Sequence, residues 1–185
     1  MKRHFILKTI ITSVILMLFA YAIIYGQVIS KISSAFVSHK EKIPSFSFTT
    51  LNNSKKINTS DIKTDGTFLI LYISPDCPIC KEQLHEIVTN HSQVSNIQMY
   101  ILSPFPLNQV KDYFTGYNID QFKNITAGID IASHFAWYYK IHSVPCLAFY
   151  DKYRNLKKFR IGILDCTRIR KICDSINRET NKVVQ

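Results

Sequence analysis

A chain of 185 residues, 46% of them hydrophobic, is long enough to bury one substantial core and to carry an appendage beside it. Its charge balance is basic, 23 Lys+Arg against 13 Asp+Glu, and residues 1 to 30 hold only three of the cations (Lys2, Arg3, Lys8), so the remainder keeps 20 minus 13, or +7. Apart from the mixed stretch Lys152 to Arg160 the basic residues are scattered and no nucleic-acid motif accompanies them, which implies a solvated face with modest attraction for an anionic membrane surface and no nucleic-acid partner.

The chain opens with Lys2, Arg3 and Lys8, then runs from Thr9 to Ile29 without a charge. That length matches the ~20 residues of a membrane-crossing helix. Cations on the leading side keep that end in the cytoplasm and carry the rest of the protein across the inner membrane, facing the periplasm or the cell exterior. The rival is a cleaved signal peptide, since Ala20-Tyr21-Ala22 fits the A-x-A pattern, but cleavage there would leave an apolar new end at Ile23, so the length favours a single-pass anchor in contact with lipid over 9–29. Both readings export the domain. We therefore divide the chain into an anchor or signal segment (1–30), a juxtamembrane spacer (31–43) and a folded domain (44–185).

Pro44 to Leu51 alternates as a half-buried strand, Asn52 to Lys56 reads as a turn, and a short segment, Ile57 to Ile62, leads to the turn Asp65-Gly66. Thr67 to Ile73 is an apolar, β-branched and aromatic run of buried-strand length. After it comes Ser74-Pro75-Asp76-Cys77-Pro78-Ile79-Cys80-Lys81, and then Leu84, Ile87, Val88 and His91 at the spacing of one helix face. A C-x-x-C thus lies at a strand-to-helix turn. Pro78 is best tolerated at the first helical position, which puts Cys77 at the helix N-cap and Cys80 in the first turn. Their i, i+3 relation sets both sulfurs on one side at a separation a disulfide can span. The positive end of the helix dipole favours a thiolate at Cys77, the more exposed of the two, so Cys77 is the candidate nucleophile and Cys80 the thiol that resolves a mixed disulfide. A zinc site would want a second close pair, which Cys146, Cys166 and Cys173 do not supply, and a purely structural bridge closing so small a loop would gain little. No metal and no cofactor beyond the dithiol is expected.

Asn96 to Leu102 is a further strand; Leu107, Val110, Tyr113 and Phe114 form a helical stripe ending at Gly116; Asn124 to Gly128 is a short strand; and Ala132 to Lys140 is a short helix. Val144 to Tyr150 begins a strand at Pro145, the turn Tyr153-Arg154-Asn155 returns it as the strand Leu156 to Ile161, and Leu164 to Asn177 closes the chain as a helix. Strands alternating with helices call for an α/β fold, a central mixed sheet flanked by helices on both faces.

In Cys77-Pro78-Ile79-Cys80 at the strand-to-helix turn, and in Val144-Pro145 about 65 residues later before a hairpin and a helix, residues 44 to 178 resemble the thioredoxin superfamily. Within it they are most similar to the membrane-anchored TlpA- or ResA-like thiol-disulfide oxidoreductases. The resemblance implies a thioredoxin-like fold, a cis peptide bond at Pro145 facing the two cysteines, and backbone beside Val144 and Pro145 that binds an extended substrate segment. It also implies protein disulfides or dithiols as substrates, reduction rather than oxidation as the direction, and a membrane reductase or other thiol donor as the recharging partner. Three positions depart from that pattern. Asp76 stands where the family often has Trp, the strand before it lacks a buried acid to take the Cys80 proton, and Cys146 follows the proline. As an accessory group Cys146 would be a third redox thiol, although such a cysteine is more often a small buried hydrophobe.

Cys166 and Cys173 share a face with Ile169, Ile172 and Ile176 and, two turns apart, are about 10 Å from each other, which favours core packing over a disulfide. His91 shares the apolar stripe of the motif helix, and His85 reads as solvated. A peroxidase reading would need Thr or Ser three residues before the reactive cysteine and Pro seven before it, where Ile70 or Ile73 stands. The alternatives to an oxidoreductase are a copper or other metal chaperone and a non-catalytic thioredoxin-like binding module.

Overall fold

The computed structural model describes residues 13, 16–21, 23–24, 42–52, 54–62 and 64–182, and the chain divides into two units, Met1–His39 and Lys40–Gln185. In the first, the described residues are helical and exposed. Among the described residues no helix is long and apolar enough to cross a membrane. Most of the expected span over 9–29 lies outside them.

The second unit is built on the strand that the apolar run foretells. Phe68–Tyr72 (β3) lies near the middle of a seven-stranded sheet, parallel to Gln98–Ser103 (β4) on one side and antiparallel to Cys146–Tyr150 (β6) on the other. Beyond β4 come Ile125–Ile129 (β5, parallel), Ser47–Thr50 (β1) and Lys56–Asn58 (β2), and beyond β6 comes Leu156–Ile161 (β7), giving the order β2-β1-β5-β4-β3-β6-β7. Alternate side chains of a strand leave opposite faces of its sheet. Leu69, Leu71 and Ile73 therefore enter one core with Cys80, Leu84 and Ile87 of Pro78–Thr89 (α1), Val110 and Phe114 of Leu107–Thr115 (α2), and Cys166, Ile169, Cys173 and Ile176 of Cys166–Lys182 (α4). Phe68, Ile70 and Tyr72 enter the other, with Phe135 and Tyr139 of His134–Tyr139 (α3) and with Phe46 and Phe48. A strand covered on both faces must be apolar at every position. Each of these large side chains contributes about 1.5–3 kcal/mol by leaving water.

Several element limits differ from the expected ones. Lys56 belongs to a strand rather than a turn, because Ile57 pairs with Phe48 and half-buries itself against the second core. α3 begins at His134, two residues late, since the Ser133 N–H is held by the Asp130 carbonyl at 2.8 Å and Ser133 takes a left-handed backbone. His91 is off the apolar stripe: α1 stops at Thr89, and His91 lies in the next turn with its Nε2 2.6 Å from Asn124 Oδ1 and its ring against Phe122. α4 runs five residues beyond Asn177, its last turns anchored by buried Thr180, whose hydroxyl donates to the Ile176 carbonyl at 2.8 Å. Trp137 turns outward, 79% exposed.

The close approach of β5 to β1 depends on Gly128. A Cβ there would lie 2.6 Å from the Phe48 ring and 3.0 Å from the Thr49 carbonyl oxygen. Gly128→Ala should lower unfolding stability by about 1–3 kcal/mol, the usual range for overpacking a filled core, measured by urea denaturation.

Candidate active site

β3 ends at Tyr72, the chain turns through Ser74 to Asp76, and the Cys77 N–H donates to the Ser74 carbonyl at 3.2 Å. Cys77 has the extended backbone of an N-cap, with Pro78 in the first turn of α1. Its Sγ accepts from the Cys80 N–H at 3.3 Å, a donor shared with the Cys77 carbonyl at 3.1 Å, so a helix-end N–H already points at the sulfur where negative charge would develop. The same thiol donates to the Val144 carbonyl at 3.5 Å. Cys77 is partly exposed; Asp76 and Ile79 beside it are exposed.

Cys80 differs from Cys77 in exposure. It is fully buried. Burial first, then its contact with Cys77, pushes its thiol up to about 12, against a partial opposing pull from the Ser74 backbone. Both are free thiols, one turn apart on the same helix end, a partly exposed sulfur over a buried one.

Val144-Pro145 is cis. Val144 packs against both cores and, through its carbonyl, touches the Cys77 sulfur. Directly after the proline the strand alternation sends Cys146 the other way: it joins Tyr72 and Tyr150 in the core on the far face of the sheet from Cys80. It is fully buried, and burial raises its pKa. Cys166 and Cys173 are core residues of α4, pushed up to about 12 mainly by burial. His85 is exposed. Among the described residues no group of three or more His, Cys, Asp or Glu is placed to hold a metal ion.

Two groups absent from the sequence reading tie this region together. Gln83, fully buried on α1, donates from Nε2 to the Leu164 carbonyl at 3.0 Å and accepts the Leu164 N–H on Oε1 at 2.7 Å. The Gly162 N–H, on a backbone of φ +93°, donates to the Pro145 carbonyl at 2.8 Å. The loop 162–164 is thereby bound to both the proline and the motif helix. Its Ile163, with Ile79, is an exposed apolar side chain. A glutamine three residues after Cys80, between Cys80 and Leu84 on the buried stripe, is the signal that would have singled out Gln83.

No family model matches the chain, and no curated protein does. Solved structures do match. StoA from Bacillus subtilis is 14% identical, with 69% of this chain and 95% of that one covered at a TM-score of 0.55. A secreted Mycobacterium tuberculosis disulfide oxidoreductase homologous to E. coli DsbE is 13% identical over 70% and 95%, at 0.57. The pneumococcal exposed lipoprotein thioredoxin Etrx1 from Streptococcus pneumoniae is 18% identical over 71% and 99%, at 0.59. The fold is thioredoxin-like. At these identities the likeness concerns the thioredoxin-like architecture alone, and the chemistry rests on the geometry above.

Gln83→Leu removes both bonds to Leu164 and strands two backbone groups, so stability should fall by about 2 kcal/mol or more in urea denaturation. The pH dependence has a definite sign. The folded dithiol holds the Cys80 proton more tightly than the ordinary thiol value of 9.0, up to about 12, so its contribution to stability is whole below about pH 9 and is lost as the pH rises towards 12. Unfolding free energy of the reduced protein should decline over that window, with a shallower slope in Cys80→Ala.

Proposed function

We propose that the chain is an extracytoplasmic thiol-disulfide oxidoreductase that reduces disulfides of protein substrates through Cys77 and Cys80. The observation that carries this reading is the partly exposed Cys77 sulfur at the N-terminus of α1, 3.3 Å from the Cys80 N–H, with fully buried Cys80 one turn beneath it. A structural bridge has no use for one accessible sulfur and one hidden one. In exchange chemistry the accessible sulfur attacks and the hidden one resolves.

In the first step the Cys77 thiolate attacks one sulfur of the substrate disulfide; the new Cys77–substrate bond forms and the other substrate sulfur leaves with the electron pair and takes up a proton. Cys80 then gives up its proton and attacks Cys77 Sγ, closing the Cys77–Cys80 disulfide and releasing the second substrate thiol. The two electrons come from the dithiol. Substrate backbone lies beside Val144 and Pro145, over the apolar surface that Ile79 and Ile163 present, and a membrane reductase or another thiol donor returns the disulfide to the dithiol. Residues 9–29 anchor the chain in the inner membrane, and the folded unit faces the periplasm or cell exterior, where a disulfide partner meets oxidising conditions.

Redox titration of the full chain in glutathione or dithiothreitol buffers, with alkylation and mass mapping, should show Cys77 and Cys80 as one two-electron couple between about −120 and −280 mV. Cys77→Ser should abolish disulfide reduction, and Cys80→Ser should accumulate the mixed disulfide on Cys77. A pair that never oxidises, or that stays locked below about −300 mV, overturns the assignment. A periplasm-dependent reporter fused after residue 185 should be active if the topology is right, and inactive if the C-terminus is cytoplasmic.

A further inference from the structure

The resolving step needs Cys80 to lose a proton in a place where burial opposes the charge, and neither a carboxylate nor a cation contributes to its shift. Close by is a group with nothing to bond. Tyr113 of α2 is partly buried and packs, as Cys77 does, against the core that holds Cys80. Among the described residues its Oη is a buried side-chain oxygen without a hydrogen-bond partner. Its ring is fixed by edge-on contact with Phe114 at 5.3 Å and by Tyr117 at 5.8 Å, and Tyr117 in turn donates its hydroxyl to the Lys81 carbonyl at 3.4 Å, which holds α2 over the first turn of α1. Burying a hydroxyl with no acceptor is costly, and native proteins rarely tolerate it without reason.

The phenol is a donor, not a base. Burial raises its pKa, with Tyr117, Cys80 and Cys77 adding to the shift in that order, so it keeps its proton at neutral pH. What it lacks is an acceptor. Neither cysteine sulfur is in hydrogen-bonding geometry with the hydroxyl while the thiols are neutral; a thiolate is a much stronger acceptor than a thiol, so charge on Cys80 would draw the hydroxyl onto the sulfur. The titratable groups in or against the core that holds Cys80 are Cys77 from its own helix, Tyr113 from α2 and Tyr117 just after it, and Cys166 and Cys173 of α4, while Cys146 of β6 lies in the core across the sheet.

We propose that the Tyr113 hydroxyl is the hydrogen-bond donor that stabilises the Cys80 thiolate as it resolves the mixed disulfide at Cys77. This rests on the oxidoreductase reading above. In the balanced step, Cys80 Sγ–H gives its proton to solvent-derived base, the thiolate accepts from Tyr113 Oη–H, the Cys80–Cys77 bond forms, and the Cys77–substrate bond breaks with its electron pair leaving on the substrate sulfur. Tyr113 keeps its proton throughout. It does for the thiolate what the missing buried acid would otherwise have arranged by removing the proton.

The test uses the reduced full chain and the aromatic disulfide 5,5′-dithiobis(2-nitrobenzoate), whose two thiol fragments are released in turn. The first release reports attack by Cys77, the second resolution by Cys80. In Tyr113→Phe we expect the first rate unchanged and the second slowed by about tenfold at neutral pH, with the pH midpoint of the second step raised by about one unit. The midpoint is a readout that loss of packing alone would not move. An unchanged second phase with an unchanged midpoint overturns the proposal. If the parent chain releases no second fragment, it is the oxidoreductase reading that fails. Should the variant not fold, 13C NMR of ring-labelled tyrosine decides on the unaltered residue, with Cys77 alkylated by iodoacetamide to a thioether that Cys80 cannot displace, in a chain that is Cys146→Ala, Cys166→Ala and Cys173→Ala. A Tyr113 Cζ shift that follows Cys80 ionisation supports the contact, and a flat curve overturns it.

Discussion

Burial of β3 on both faces is the constraint from which the site follows. With Leu69, Leu71 and Ile73 committed to one core and Phe68, Ile70 and Tyr72 to the other, a slip of one residue would exchange the two sets, so the register of β3 against β4 and β6 is fixed along its whole length. Where β3 ends is therefore fixed as well. The turn after it delivers Cys77 to the N-cap of α1, and α1 is held in turn by Leu84 and Ile87 in the same core as Leu71. The sulfur is placed by hydrophobic packing, with the hydrogen bonds around it making the final adjustment.

The same alternation separates the cysteines by task. Cys80 points into the core under α1 and Cys146 into the core across the sheet, although Pro145 lies against the Cys77 neighbourhood. Adjacency in sequence to the cis proline thus says nothing about access to the dithiol. Cys166 and Cys173 fill space on α4 along one face with Ile169 and Ile176, where a small polarisable side chain packs well. Of the five thiols only Cys77 is not buried. Exposure, rather than sequence spacing, is what singles it out.

Much of this was legible because it rests on periodicity and on stereochemistry near the chain. The apolar run of β3, the proline after Cys77 and the stripe of α1 each have a local physical cause. What could not be read depends on partners distant in sequence. The β1–β2 hairpin needs Phe48 opposite Ile57, the end of α1 is set partly by Asn124 capturing His91, and Gln83, placed by its spacing on the buried stripe of α1, finds its partner only in Leu164, 81 residues later. Tyr113 was visible as part of an apolar stripe, yet nothing in the sequence says that its hydroxyl is left without an acceptor. The membrane span was argued from length and charge, and most of it lies outside the described residues.

Because fold and chemistry rest on different residues here, they can vary independently. An architecture shared at 13–18% identity with solved structures is maintained by which positions are buried, and many apolar residues satisfy that requirement. The dithiol is held more narrowly. Three segments far apart in sequence must agree: α1 supplies the sulfurs, Val144 offers its carbonyl to Cys77, and loop 162–164 is tied to Pro145 through Gly162 and to α1 through Gln83. The two ties form a closed circuit of backbone and buried amide around the accessible sulfur. A change in any one of the three moves the surface around the Cys77 sulfur without unmaking the sheet, so the rim can vary while β3 keeps Cys77 at the helix end.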